Sequence, residues 1–287
     1  MSPKMKNFIV RAITGVLFVA IMVAGLLDPT AMIGLFALIT GLALWEYTGL
    51  VNNIENVCMN RFISTVAGVY LFVAIAGINS GIIQTNAVFV PYLLTVVYLF
   101  ISELYTRNAN AVNDWAYTML GQMYIALPLA CINVLAFRQQ PDGTISFYFL
   151  LPLSVYIFLW VNDTGAYLSG SLLGRHKLFP RISPGKSWEG SIGGGLLVLA
   201  VAALLGWWEN SHECLSGLSV IEWMGLGLVV VFFGTWGDLV ESLFKRTLGI
   251  KDSGSILPGH GGMLDRFDSS LMAIPASVIY IYSLTLL

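Results

Sequence analysis

Near the C-terminus, Asp238, Glu241, Ser242 and Lys245 recur at i, i+3, i+4 and i+7. That spacing lines all four along one face of a helix. Two further carboxylates, Asp265 and Asp268, follow a Gly261-Gly262 pair, with Lys245, Arg246, Lys251 and Arg266 in the same stretch. Glycine lets backbone approach a phosphate closely. A few hard oxygen ligands suit Mg2+, which keeps waters and substrate phosphate oxygens in its shell. The set is suited to holding phosphates and neutralising their charge. His260 between glycines could be a ligand or a turn donor, and no second histidine stands close enough to suggest zinc.

A second cluster lies upstream. Asn162-Asp163 interrupts an apolar run, where buried polar groups are costly and mark a functional site. After it comes Ser183-Pro-Gly-Lys186-Ser187-Trp-Glu-Gly190. The Gly-Lys-Ser trio is not a P-loop, because that motif needs glycine at position 180, where this chain has Pro180, and no strand is predicted before it. What remains is Lys186 and Ser187 leading into a helix whose N-terminus favours an anion. Gly190, Gly193, Gly194 and Gly195 then fit close packing between membrane helices.

The elements that must position these residues follow from composition. The 287 residues are 57% hydrophobic and 10% charged, with mean hydropathy +0.79. Soluble chains carry about 25% charge. Apolar runs long enough to cross about 30 Å of hydrocarbon recur throughout. They predict an all-α, polytopic membrane protein with about nine spans, at 8–27, 30–50, 62–83, 87–104, 116–137, 146–168, 190–208, 218–240 and 269–287. The first run follows lysines and could imitate a signal peptide, but reads as a retained helix because no small-residue cleavage site follows it. With the N-terminus in the cytoplasm, thirteen of the fourteen Lys and Arg residues fall inside and Arg138 alone outside, as the positive-inside rule requires. Residues 1–138 then form an N-terminal set of helices. Residues 139–287 form a catalytic region whose charged loops, 169–189 and 241–268, face the cytoplasm. Glu46, Glu103 and Asp114, near span ends, read as packing or interfacial groups. Cys58, Cys131 and Cys214 are too scattered for a disulfide framework or a thiolate metal site.

From Ser242 to Asp268 the chain resembles the signature of the phosphatidate cytidylyltransferases, also called CDP-diacylglycerol synthases: Ser242-x-x-Lys-Arg-x4-Lys-Asp-x-Gly-x-x-Leu-Pro-Gly-His-Gly-Gly-x-x-Asp-Arg-x-Asp268. The 162–167 and 183–190 segments are similar to a second motif region of that family, with Ser187 where threonine is commoner. The resemblance implies transfer of the cytidylyl group of CTP to phosphatidic acid in a bacterial inner membrane, with the active site on the cytoplasmic face. It also implies Mg2+, a possible monovalent K+ beside it, and a possible homodimer; nucleic acid has no part. Carried over by position, Asp238 and Asp265 would hold the metal. Ser242, Lys245 and Arg246 would join them in catalysis. Asn162, Asp163, Ser183, Lys186, Ser187, Lys251, Asp252, His260 and Arg266 would bind substrate. The alternative enzyme is a CTP-dependent polyprenol kinase, which would release CDP. A transporter fits less well, because charges gather at one face and no inverted repeat is evident.

Overall fold

A computed structural model describes residues 3–106, 110–140, 142–212, 216–256, 259 and 261–284. Helices dominate. They are α1 (Pro3–Leu26), α2 (Pro29–Val51), α3 (Arg61–Asn79), α4 (Val90–Ser102), α5 (Ala111–Gly121), α6 (Leu127–Ala130), α7 (Ile132–Ala136), α8 (Leu150–Leu173), α9 (Trp188–Ser211), α10 (Val220–Thr247), α11 (Leu264–Phe267) and α12 (Ser270–Leu284). A wider turn of π geometry, Gln122–Ala126, joins α5 to α6. Gln122 there is buried and donates to the Ser64 carbonyl at 2.8 Å.

Among the described residues, seven stretches are long and apolar enough to cross a membrane: Ile9–Leu26, α2, α3, Ala111–Ala136, α9, α10 and Leu264–Leu284. Two predicted spans are not among them. The 87–104 run forms only the 13-residue α4, after a short 3-10 turn at Asn86–Phe89. The 146–168 run forms α8, 24 residues long, whose apolar character Asn162 and Asp163 dilute. The all-α expectation also needs a small correction. Among the described residues, two short antiparallel hairpins are present, β1 (Phe137–Gln139) with β2 (Ile145–Phe147) and β3 (Lys177–Phe179) with β4 (Ser183–Ser187). A strand therefore does precede Lys186, and Pro184 and Gly185 lie within the other strand of that hairpin. The predicted 169–189 loop is helix to residue 173 and hairpin from 177, and α10 runs on through Thr247.

The chain divides into two compact units, residues 1–149 with 248–267 and residues 150–247 with 268–287. In the first, Phe36, Leu44, Tyr47 and Phe72 form a core between α2 and α3. Phe267 of α11 packs edge-on against Phe18 and Phe36, with ring centroids 6.0 and 6.2 Å away, which seats the end of the charged segment. Helix α2 starts cleanly, because Asp28 accepts from the Ala31 amide at 2.8 Å and Pro29 opens the first turn.

In the second unit α8, α9, α10 and α12 pack together. The α8–α9 contact is backbone on backbone. A Cβ at Gly165 would lie 2.9 Å from the Gly194 Cα, and one at Gly190 would lie 2.9 Å from the Ala166 carbonyl. The glycines that open α9 therefore serve close helix packing. Between α9 and α10, buried Glu209 accepts from Trp223 Nε1 at 2.5 Å and from the Ser216 amide at 3.1 Å, fixing that connection.

Gly194→Ala would place a Cβ 2.5 Å from Asn162 Oδ1 and 2.7 Å from the Asn162 carbonyl. Overpacking of this kind costs about 1–3 kcal/mol, so the thermal midpoint in detergent should drop by several degrees. Gly34 in α2 has nothing within 4 Å of such a Cβ. Gly34→Ala should leave the midpoint unchanged or raise it, since alanine favours helix by about 0.5–1 kcal/mol.

Candidate functional site

Helix α10 lines up Asp238, Glu241, Ser242 and Lys245 as their spacing requires. Ser242 Oγ donates to Asp238 Oδ1 at 3.1 Å. Lys245 Nζ pairs with Oε2 of Glu241, four residues before it, at 2.5 Å; the Glu241 side chain is fully buried and that of Lys245 only 12% exposed. An ion pair this enclosed is strongly destabilised by loss of one partner, because the other charge is left buried. Glu241 is thus the buried counter-charge of Lys245, a role its position in the stripe alone did not reveal.

The hairpin brings the second motif to the first. Lys186 on β4 reaches Asp238 Oδ2 with its Nζ at 2.5 Å, and the two side chains are 26% and 30% exposed. Ser187 is the N-cap of α9, its Oγ accepting from the Gly190 amide at 3.1 Å. Asp268 at the start of the last span faces the charges of Asp238, Asp163 and Lys245. With Glu241, four carboxylates and two ammonium groups therefore gather within this unit. Ser183 lies at the far end of β4, opposite Phe179, and Arg246 is exposed on the last turn of α10.

A cavity of about 330 Å³ adjoins this cluster. Asn162, Asp163, Tyr167, Lys186, Ser187 and Ser191 are among its lining residues. Asn162 lies mid-helix rather than at a helix end, since α8 continues to Leu173. It is buried, and among the described residues its side-chain oxygen has no hydrogen-bond donor. An unmet buried acceptor costs about 1–3 kcal/mol, and a bound hydroxyl or cation would relieve it. Ser191 and Thr235 also border a second, apolar groove of about 370 Å³, walled by Trp188, Ile192, Leu196, Val231, Phe232 and Trp236. A chamber with several polar side chains in its wall and an apolar trough thus share two residues.

The other half of the signature belongs to the first unit. Lys251, Asp252 and Arg266 are exposed. Asp265 accepts at Oδ2 from the amides of Ser253 (2.9 Å) and Gly262 (2.8 Å). Ser253 is buried and donates from Oγ to Glu46 of α2. Glu46, read from sequence as a packing group, also accepts from the amides of Met263 (2.8 Å) and Leu264 (3.3 Å). Asp114 does serve packing, accepting from the Cys58 amide at 2.7 Å. His260 lies outside the described residues.

Among the described residues, no group of three or more His, Cys, Asp or Glu side chains forms a metal cage. Mg2+ takes one or two carboxylates and completes its octahedron with water and phosphate. The partly exposed Asp238 carboxylate fits such a role.

A model of the cytidylyltransferase family matches residues 8–284. The chain belongs to that family. It is similar to the phosphatidate cytidylyltransferase of Staphylococcus aureus strain COL, at 32% identity over 267 residues, covering 93% of this chain and 96% of that one. The enzyme of the same name from Staphylococcus epidermidis strain RP62A matches to the same extent. That of Haemophilus influenzae strain Rd is 32% identical over 255 residues, covering 84% and 87%.

The Lys186–Asp238 contact makes a testable statement about the cytidylyltransferase site. Lys186→Ala should lower kcat/KM in detergent micelles by about 10- to 150-fold, the worth of one charge-assisted contact of about 1.5–3 kcal/mol. Lys177→Ala, which removes an exposed lysine from the same hairpin, should change it by less than about threefold.

Proposed function

We propose that this cytidylyltransferase moves the cytidylyl group of CTP onto phosphatidic acid, giving CDP-diacylglycerol and pyrophosphate for phospholipid synthesis. The observation that carries this reading is the meeting of Lys186 and Asp238 beside a partly polar cavity that shares residues with an apolar groove. The groove suits an acyl chain, and the cavity suits phosphates.

In the reaction, a phosphate oxygen of phosphatidate attacks the α-phosphorus of CTP. A new P–O bond forms as the bond from that phosphorus to the β-phosphate oxygen breaks, and pyrophosphate departs with the electron pair. The lipid supplies the nucleophile, so no side chain need form a covalent bond. Such transfer depends on positioning and charge neutralisation. Lys186 and Lys245 screen the repulsion between two anions, and Arg246, Lys251 and Arg266 add positive charge. Ser242 holds the Asp238 carboxylate by its hydroxyl. Asn162, Asp163, Ser183, Ser187, Asp252 and His260 are assigned to substrate binding. Asp238 and Asp265 are the carboxylates that would hold Mg2+, with K+ as a second ion; when bound, Mg2+ would neutralise charge on the phosphates.

The proposed topology has nine spans, counting α4 and α8, with the N-terminus and both charged segments in the cytoplasm of a bacterial cell, where CTP is. Support comes from the thirteen-to-one division of cations and from Glu46, near the end of α2, which bonds to 253–264. A homodimer is the proposed assembly.

Purified protein should release pyrophosphate from CTP only when phosphatidate and Mg2+ are both present. Asp238→Asn and Asp265→Asn should each lower that rate about 10³-fold, or about 4 kcal/mol of barrier. Pyrophosphate release without phosphatidate, or near-normal turnover in a folded Asp238→Asn protein, would refute the assignment. For topology, cysteines at Ser183 and Ser255, with native cysteines replaced, should react with an impermeant thiol reagent only from the cytoplasmic side. Labelling from outside would overturn it.

A further inference from the structure

Glu46 is 7% exposed, and every hydrogen bond to its carboxylate comes from one distant stretch of chain. Oε1 accepts from the Ser253 hydroxyl and, at 3.3 Å, from the Leu264 amide. Oε2 accepts from the Met263 amide at 2.8 Å. A buried carboxylate costs several kcal/mol unless hydrogen bonds replace its water. These donors do so with the backbone of the signature segment. That segment is shaped around the carboxylate: a Cβ at Gly254 or Gly262 would lie 2.6 or 2.0 Å from a Glu46 oxygen. Glycine at both positions leaves room for it.

The constraint passes on through Ser253. Its Oγ, donating to Glu46, accepts from the Asp265 amide at 3.3 Å, while its own amide donates to Asp265 Oδ2 at 2.9 Å. The Gly262 amide, beside Met263, donates to the same Oδ2 at 2.8 Å. Backbone and side chain of Asp265 are thus both tied to groups that Glu46 holds. We infer that Glu46 is a positioning residue for the reaction, fixing the Asp265 carboxylate through Ser253 and the 262–264 backbone. The inference rests on the reading of Asp265 as a metal ligand. Outer partners that orient a ligand typically change metal affinity or activity by about 10- to 100-fold when lost.

Glu46→Gln keeps the shape but replaces one acceptor oxygen with a donor facing backbone N–H groups. In folded protein, it should raise the Mg2+ concentration for half-maximal rate and lower kcat, each about 10-fold or more, with KM for CTP within about threefold. Glu46→Asp keeps the acceptors on a shorter stem and should recover part of the loss. Ser253→Ala leaves Glu46 its two amide bonds, protecting the fold, and should reproduce the Mg2+ shift. The double variant should be less impaired than the product of the single losses.

A second readout needs no turnover. In protein free of native cysteines, Ser255→Cys, at an exposed position, should react with a thiol reagent at least about threefold faster when Glu46→Gln is added, because the segment is released. Unchanged labelling would overturn the proposal. Faster labelling with a wild-type Mg2+ curve would also overturn it, by leaving Glu46 an anchor with no part in the reaction. The labelling does not depend on metal. A wild-type Mg2+ curve for Asp265→Asn would instead sink the metal assignment.

Discussion

Charge among apolar helices must be paired or solvated, and the pairing of Lys186 with Asp238 satisfies that demand for two sequence-distant motifs at once. An ammonium and a carboxylate 2.5 Å apart and each about a quarter to a third exposed are worth more than an exposed pair and cost less than a fully buried one. The pair still has access to water, so phosphate or metal can compete for either partner. Lys245 and Glu241 differ, because their pair is enclosed within the fold. One α10 stripe therefore carries a partly exposed contact and an enclosed one. The helical spacing of the four residues could not tell the two apart.

Backbone proximity is the second constraint. Helices α8 and α9 meet through glycines, so the strand-and-turn that carries Lys186 enters α9 directly beside the Asn162-Asp163 segment of α8. Ser187 both ends the hairpin and caps the helix, which fixes where Lys186 can point. In each unit a buried carboxylate also holds a connection by accepting amide and hydroxyl hydrogens: Glu46 for 253–264 and Glu209 for the turn before α10. In apolar surroundings, a carboxylate with several donors organises a segment that has few apolar side chains of its own.

The helical, membrane-spanning character was readable from hydropathy alone, and the α10 stripe from its 3.6-residue period. The close packing of α8 on α9 was foreshadowed by Gly190, Gly193 and Gly194. The β3–β4 hairpin was not, because Pro184 and Gly185 are poor strand formers whose pairing is set by their neighbours. Asn162 and Asp163 signalled a site but not the helix running on past them. Glu46 reads in the sequence as a packing or interfacial group because its partners lie more than 200 residues away, although a lone carboxylate inside an apolar run is as costly as Asn162-Asp163.

Cytidylyl transfer is the central claim, and the fate of the phosphates of CTP tests it most directly. Purified protein given phosphatidate and CTP labelled at the α-phosphate should place the label in the lipid, with one pyrophosphate released per lipid formed. CTP labelled at the γ-phosphate should leave the lipid unlabelled. Lipid carrying the γ label, with CDP as the other product, would mean kinase chemistry and would contradict the account.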